Sequence, residues 1–169
     1  MNIAELLAKG QSRSSTEAIV AFVGCDPGRF AELYRVFERG GFRLQQCAAW
    51  PISVIAEDHP ELVEPYLRKL IEYLLRNDVH DAVKRSVARL LQYVDVPKGL
   101  YAKVFSLCIE LVADPSGSVA ARCFAMTAAA KIARTDGSLM SELKLVAASQ
   151  ADHATAGLKV RIRRILSEK

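Results

Sequence analysis

Three arginines recur along the chain at nearly constant intervals: Arg85, Arg122 and Arg161, 37 and 39 residues apart. A guanidinium is permanently charged and presents its donors in a rigid planar fork, so two chemistries are open to such a series. Paired with aspartates, the arginines are scaffold; left free and aligned, they form a surface for carboxylates or phosphates. Asp78, Asp81, Asp114 and Asp152 stand near enough in sequence to supply the pairing, and that reading comes first. With Lys84 and the only tryptophan, Trp50, the three arginines make up the candidate partner-binding surface.

Other reactive side chains do not gather into a recognisable constellation. His59, His80 and His153 form no H-E-x-x-H pattern and are expected to hydrogen-bond at turns and caps; no metal ligand set is expected. Glycine-rich phosphate loops, a dinucleotide fingerprint and a nucleophile elbow are missing, and "DPSGS" at 114–118 reads as a turn before a helix. Glu57, Asp58, Glu61 and Glu64 straddle a turn and a helix start, where the dipole favours negative charge. We therefore expect no catalytic residue, no cofactor and no enzyme activity.

Composition narrows the class of partner. With 51% apolar and 25% charged residues in 169, the chain can bury a core and is not disordered. The net charge of +4 is uneven: residues 1–77 hold 9 Lys/Arg against 10 Asp/Glu, and residues 78–169 hold 14 against 9. An excess of this size attracts acidic proteins, phosphates and anionic lipids alike and does not choose among them. "MNIAELLAKG" lacks a basic leader followed by an apolar core, and no run approaches a membrane span. Cys25, Cys47, Cys108 and Cys123 form no C-x-x-C pair, which suits a reducing compartment with thiols as small apolar fillers. A cytoplasmic protein without membrane contact is expected.

The elements that must position these residues are helices. In "PELVEPYLRKLIEYLLRND", Val63, Leu67, Leu70, Ile71 and Leu74 form one apolar stripe, and Pro60 suits a first turn, with Pro65 close behind it. "PKGLYAKVFSLCIELVADP" repeats that stripe 37 residues later, so Leu100, Val104, Leu107 and Leu111 follow Val63, Leu67, Leu70 and Leu74. A third copy at a shift of 39 brings Leu139, Leu143 and Val146. Between these runs lie second helices, "HDAVKRSVARLLQ", "SVAARCFAMTAAAKIAR" and "LKVRIRRILSEK", each carrying one member of the arginine series. In the last of them Leu158, Ile162, Ile165 and Leu166 share an arc while Lys159, Val160, Arg163 and Arg164 point away, as expected of the outermost helix of a stack. Upstream, "GRFAELYRVFERG" and "FRLQQCAAWPISVIAEDH" form an earlier pair, with Pro51 expected to kink or break the second helix near Trp50. Residues 2–9 and 15–24 are an irregular start, joined through "KGQSRSS".

Paired helices at this period, with the "AVKRSVA" and "VAARCFA" segments in the second helices, resemble the HEAT and armadillo-like repeat families, and the run from "CAAWPISVIAEDHPEL" through "HDAVKRSVARLLQ" resembles more narrowly a group of short bacterial HEAT-like proteins without an established activity. The resemblance implies an all-α fold, a right-handed α-solenoid of antiparallel helix pairs with an ARM-type superhelix. It divides a single domain, 1–169, into an N-terminal cap at 1–26 and helix pairs at 27–59, 60–96, 97–136 and 137–169. A non-enzymatic protein-interaction module using the groove of the second helices is the expected function. The alternative is a nucleic-acid-binding protein related to HEAT-like DNA glycosylases. It ranks second because no acidic group stands beside clustered aromatics, and no aromatic and basic residues interleave.

Overall fold

Short polar side chains start the early helices. In the computed structural model, which describes residues 2–76 and 78–168, Asn2 caps α1 (Ile3–Ala8), Ser12 caps α2 (Arg13–Val23) and Asp26 caps α3 (Pro27–Arg39). Ser12 and Ser15 exchange side-chain and backbone bonds in a capping box, which satisfies two orphan N–H groups at once. Met1, Asn77 and Lys169, included in the divisions and charge counts above, lie outside the described residues. The α3 helix turns into α4 (Phe42–Asp58) at Gly40, where a Cβ would fall against the Val36 carbonyl and within 2.8 Å of Leu44 Cβ. Glycine is needed there for the close approach of the two helices.

Pro51 does not break α4. The helix runs 17 residues through it. A proline there removes one ladder hydrogen bond at a cost of about 3 kcal/mol in an isolated helix. Here Cys47, Ala48, Ala49, Pro51, Ile52 and Ser53 are buried, and packing against α3 and α7 (Asp81–Leu90) holds the helix together. Pro65 has the effect expected of Pro51. The run from Pro60 divides into α5 (Pro60–Val63), a 3-10 turn at Glu64–Tyr66 and α6 (Leu67–Leu74), although the apolar stripe from Val63 to Leu74 is buried throughout. The matching run 37 residues later has Ala102 at this position, and after a 3-10 turn at Lys98–Leu100 it forms an unbroken α8 (Tyr101–Ala113).

The remaining helices are α9 (Val119–Ala133), α10 (Gly137–Ser149) and α11 (Ala156–Ser167); among the described residues there are eleven α-helices and no strand. They lie in two rows. Helices α2, α4, α7, α9 and α11 touch in that order, and on the other side α1 meets α3, α6 meets α8 and α8 meets α10. An aromatic cluster joins α3 to the split helix, with Tyr34 over Tyr66 at 4.2 Å and Phe37 beside Tyr73 at 5.1 Å between ring centres. Helix α9 is buried on nearly every side, with Ala121, Ala125, Ala128, Ala129, Ala130 and Ala133 letting α7, α8, α10 and α11 approach it. In α11, Leu158, Ile162 and Ile165 are buried, but Leu166 is 44% exposed. The expected arc was one residue too wide, because α9 and α10 cover α11 from one side only. No helix among the described residues is long and apolar enough to cross a membrane.

Candidate interaction surface on the second helices

The five candidate residues come to different places. Arg122 is 8% exposed and donates from Nε to the Val112 carbonyl at 3.1 Å and from Nη2 to Gln150 Oε1 at 2.7 Å. It ties the ends of α8 and α10 to α9, where unpaired carbonyls and the helix dipole favour a cation. The expected aspartates take no part; two neutral acceptors do their work. Arg85 is exposed and has no ion pair or hydrogen bond among the described residues. Arg161 is half-buried beside Cys123, whose thiol pKa is raised by burial and pulled back by Arg161 and Arg122. Lys84 turns toward a groove of about 510 Å3 between α6, α7 and α8, 3.8 Å from Asp81 and facing Asp114.

Trp50 is half-buried and lies apart from all of these. It sits in a cleft of about 560 Å3, with Val20 and Ala21 of α2 on one wall, Val54 on its own helix and Arg89 of α7 at the end. Thr16 lies at the side, and an exposed Arg13–Glu17 ion pair of 2.8 Å stands at the rim. Ser53, buried under this turn, donates to the Trp50 carbonyl at 2.8 Å.

Arg89 was not among the candidates, and it is the residue that builds the cleft. It donates to the Ser53 carbonyl at 3.0 Å and to Glu57 Oε2 at 2.5 Å, and its guanidinium lies 5.8 Å from the centre of the Tyr93 ring. Burial, then the nearby Glu57 carboxylate, raises the Tyr93 hydroxyl above its ordinary value of 10.0. Similar contacts recur along the row of second helices. Lys131 of α9 donates to the Val94 carbonyl and to Asp95, both at 2.9 Å, and Arg134 holds Glu168 through two bonds of 2.9 and 3.1 Å. The oppositely charged partners stand 32, 36 and 34 residues apart, a few short of the 37- and 39-residue repeat, so only a search for opposite charges over a window about that period would have found them.

On each of these helices, partly or fully exposed side chains at helical spacing form a stripe. On α4 it runs through Gln46, Trp50, Val54 and Glu57; on α7 through Arg85 and Arg89, one turn apart; on α9 through Phe124, Thr127 and Lys131. A family model for the HEAT repeat domain matches residues 3–169 of this chain. The chain belongs to the HEAT repeat family. A helical repeat scaffold of the kind commonly used in protein interaction therefore carries this stripe. No curated protein and no solved structure matches the HEAT repeat chain. Among the described residues, no three His, Cys, Asp or Glu side chains converge on a point where this HEAT scaffold could hold a metal ion.

Proposed function

We propose that this HEAT repeat chain is a cytoplasmic, non-enzymatic protein-interaction module, and that its partner seats a bulky apolar side chain in the cleft beside Trp50. The reading includes a right-handed α-solenoid of antiparallel pairs at 27–59, 60–96, 97–136 and 137–169, with 1–26 as its cap. The observation that carries it is the cleft: a half-exposed tryptophan between aliphatic walls, closed by an arginine that is already oriented. Trp, Tyr and Arg dominate the energetics of protein interfaces, and the position of Arg89 is fixed before any partner arrives. The charges around the cleft are paired, Arg13 with Glu17 and Arg89 with Glu57, so a phosphate backbone would find little free cation there.

Because Trp50 is the only tryptophan, its emission reports on the cleft directly. Peptides selected from a random displayed library against the protein, and counter-selected against Trp50→Ala, should carry a bulky apolar residue and shift that emission to shorter wavelength. Their affinity should fall at least about ten-fold in Trp50→Ala, as hot-spot truncations do, and change little between about 50 and about 200 mM salt. No enrichment with folded protein would overturn the reading. So would binding of single- or double-stranded nucleic acid that weakens steeply over the same range of salt.

A further inference from the structure

At the far end of the same row, three arginines face one carboxylate. Arg134, Arg161 and Arg164 line a pocket of about 250 Å3 between α9 and α11, and the side chain of Glu168 forms part of the same lining. Arg134 holds that carboxylate by both oxygens, fork to fork, and the Glu168 side chain is 23% exposed. Lys144 donates to the main-chain carbonyl of the same residue. Neither Arg161 nor Arg164 has a carboxylate partner among the described residues, and α11 contains no Asp or Glu at all. A single negative charge therefore stands among three positive ones.

We infer that this pocket is an acid-binding site, which takes an Asp or Glu side chain of a protein partner, and that Glu168 of the chain itself engages its Arg134 until that partner arrives. The inference rests on the reading of the molecule as a protein-interaction module, but it concerns a site separate from the Trp50 cleft. Three features support it. The Arg134–Glu168 pair shows which chemistry fits, a planar carboxylate in an arginine fork, and Ala130 and Ile165 supply an apolar lining suited to a methylene stem. Glu168 lies just past the end of α11 in extended conformation, so it can leave without unwinding a helix. The volume admits one side-chain head, while the next cation along the stripe, Lys131, is already bound to Asp95.

The test uses dye-labelled hexaglutamate and fluorescence anisotropy at about 150 mM salt, with melting curves to confirm that each variant is folded. Glu168→Gln removes a competitor held at high effective concentration, so it should bind the peptide at least about five-fold more tightly than the unaltered protein. Adding Arg134→Gln or Arg164→Gln to that variant should reverse the gain. Arg164 makes no bond that the fold depends on, so its replacement keeps the test valid even where Arg134→Gln unfolds. Arg163→Gln, an exposed neighbour outside the pocket, should leave the affinity unchanged, as should Trp50→Ala. Equal affinity with and without Glu168, or a gain that survives both arginine replacements, overturns the inference. Tighter binding of a single strand of about 20 nucleotides than of hexaglutamate makes the site a phosphate site and overturns it as well. Because the probe does not touch Trp50, either site can fail while the other stands.

Discussion

The segments that run from α5 to α7 and from α8 to α9 carry the same 37-residue pattern, yet the arginine at its equivalent place is exposed in one and buried in the other. Arg122 finds the Val112 carbonyl at the end of a continuous α8 and an acceptor in Gln150 of the pair that follows. For Arg85 the corresponding carbonyl belongs to Leu75, beyond the end of the shorter α6, and the residue 39 positions before Gln150 is Leu111, which cannot accept a bond. Arg89 inverts the comparison. Its equivalent on α9 is Met126, fully buried, while Arg89 reaches the surface and closes the Trp50 cleft. A repeat fixes where along a helix a side chain stands; the neighbouring pair decides what it meets.

Substitutions can break or sharpen this contrast. The largest effect is expected from Arg122→Ala, which leaves a buried carbonyl and a half-buried amide oxygen without this partner and should cost about 2–4 kcal/mol in denaturant unfolding. Arg85→Ala should stay within about 0.5 kcal/mol of the unaltered protein. Equal losses would mean that Arg85 has a structural role its surroundings do not display. Smaller in effect, Arg89→Met copies the α9 residue into α7 and should cost about 1 kcal/mol, since one charge-assisted pair at a partly solvated site is lost. A gain in stability would show that the cleft is kept polar against the interest of the fold.

The smallest effect concerns the turn that follows α8. Hydrogen bonds from the Ser116 hydroxyl and N–H hold the Asp114 carboxyl below its ordinary value of 3.8. A group depressed in the folded state contributes stability above its unfolded pKa and loses it as pH falls through the folded one. The advantage of the unaltered protein over Asp114→Asn in thermal melts should therefore be constant above about pH 5 and shrink below 3.8. An advantage that persists at lower pH would detach the turn from this carboxylate.

The sequence made the helices legible because their evidence is local. Stripes such as Val63 to Leu74, and starts such as Ser12 and Pro60, depend on spacing along one segment. The two prolines act differently. Pro51 is carried through by the packing around it, whereas Pro65, nearer its helix start, divides the helix. Tertiary support is not written at the position of the proline. Of the residues lining the cleft, Trp50 stands out in the sequence as the only tryptophan, while Arg89 does not, because no arginine recurs at its place 37 residues on. Its meaning lies in Glu57 and Ser53 on another helix, and only a cross-repeat search for opposite charges would have brought it forward.

Helix α9 has a consequence for how the molecule comes apart. A stack whose members touch only their nearest neighbours can fray one unit at a time from either end. The partners of α9 obey that rule, being its neighbour α8 and the adjoining α7, α10 and α11, but one alanine-rich helix carries the junctions on both sides, so peeling away α10 and α11 uncovers the flank of the element that anchors α7 and α8. Amide protons of α9 should be among the last to exchange, and those around the 3-10 turn at Glu64–Tyr66 among the first. The chain is serial in its sequence, and around α9 it is bound to open as a block.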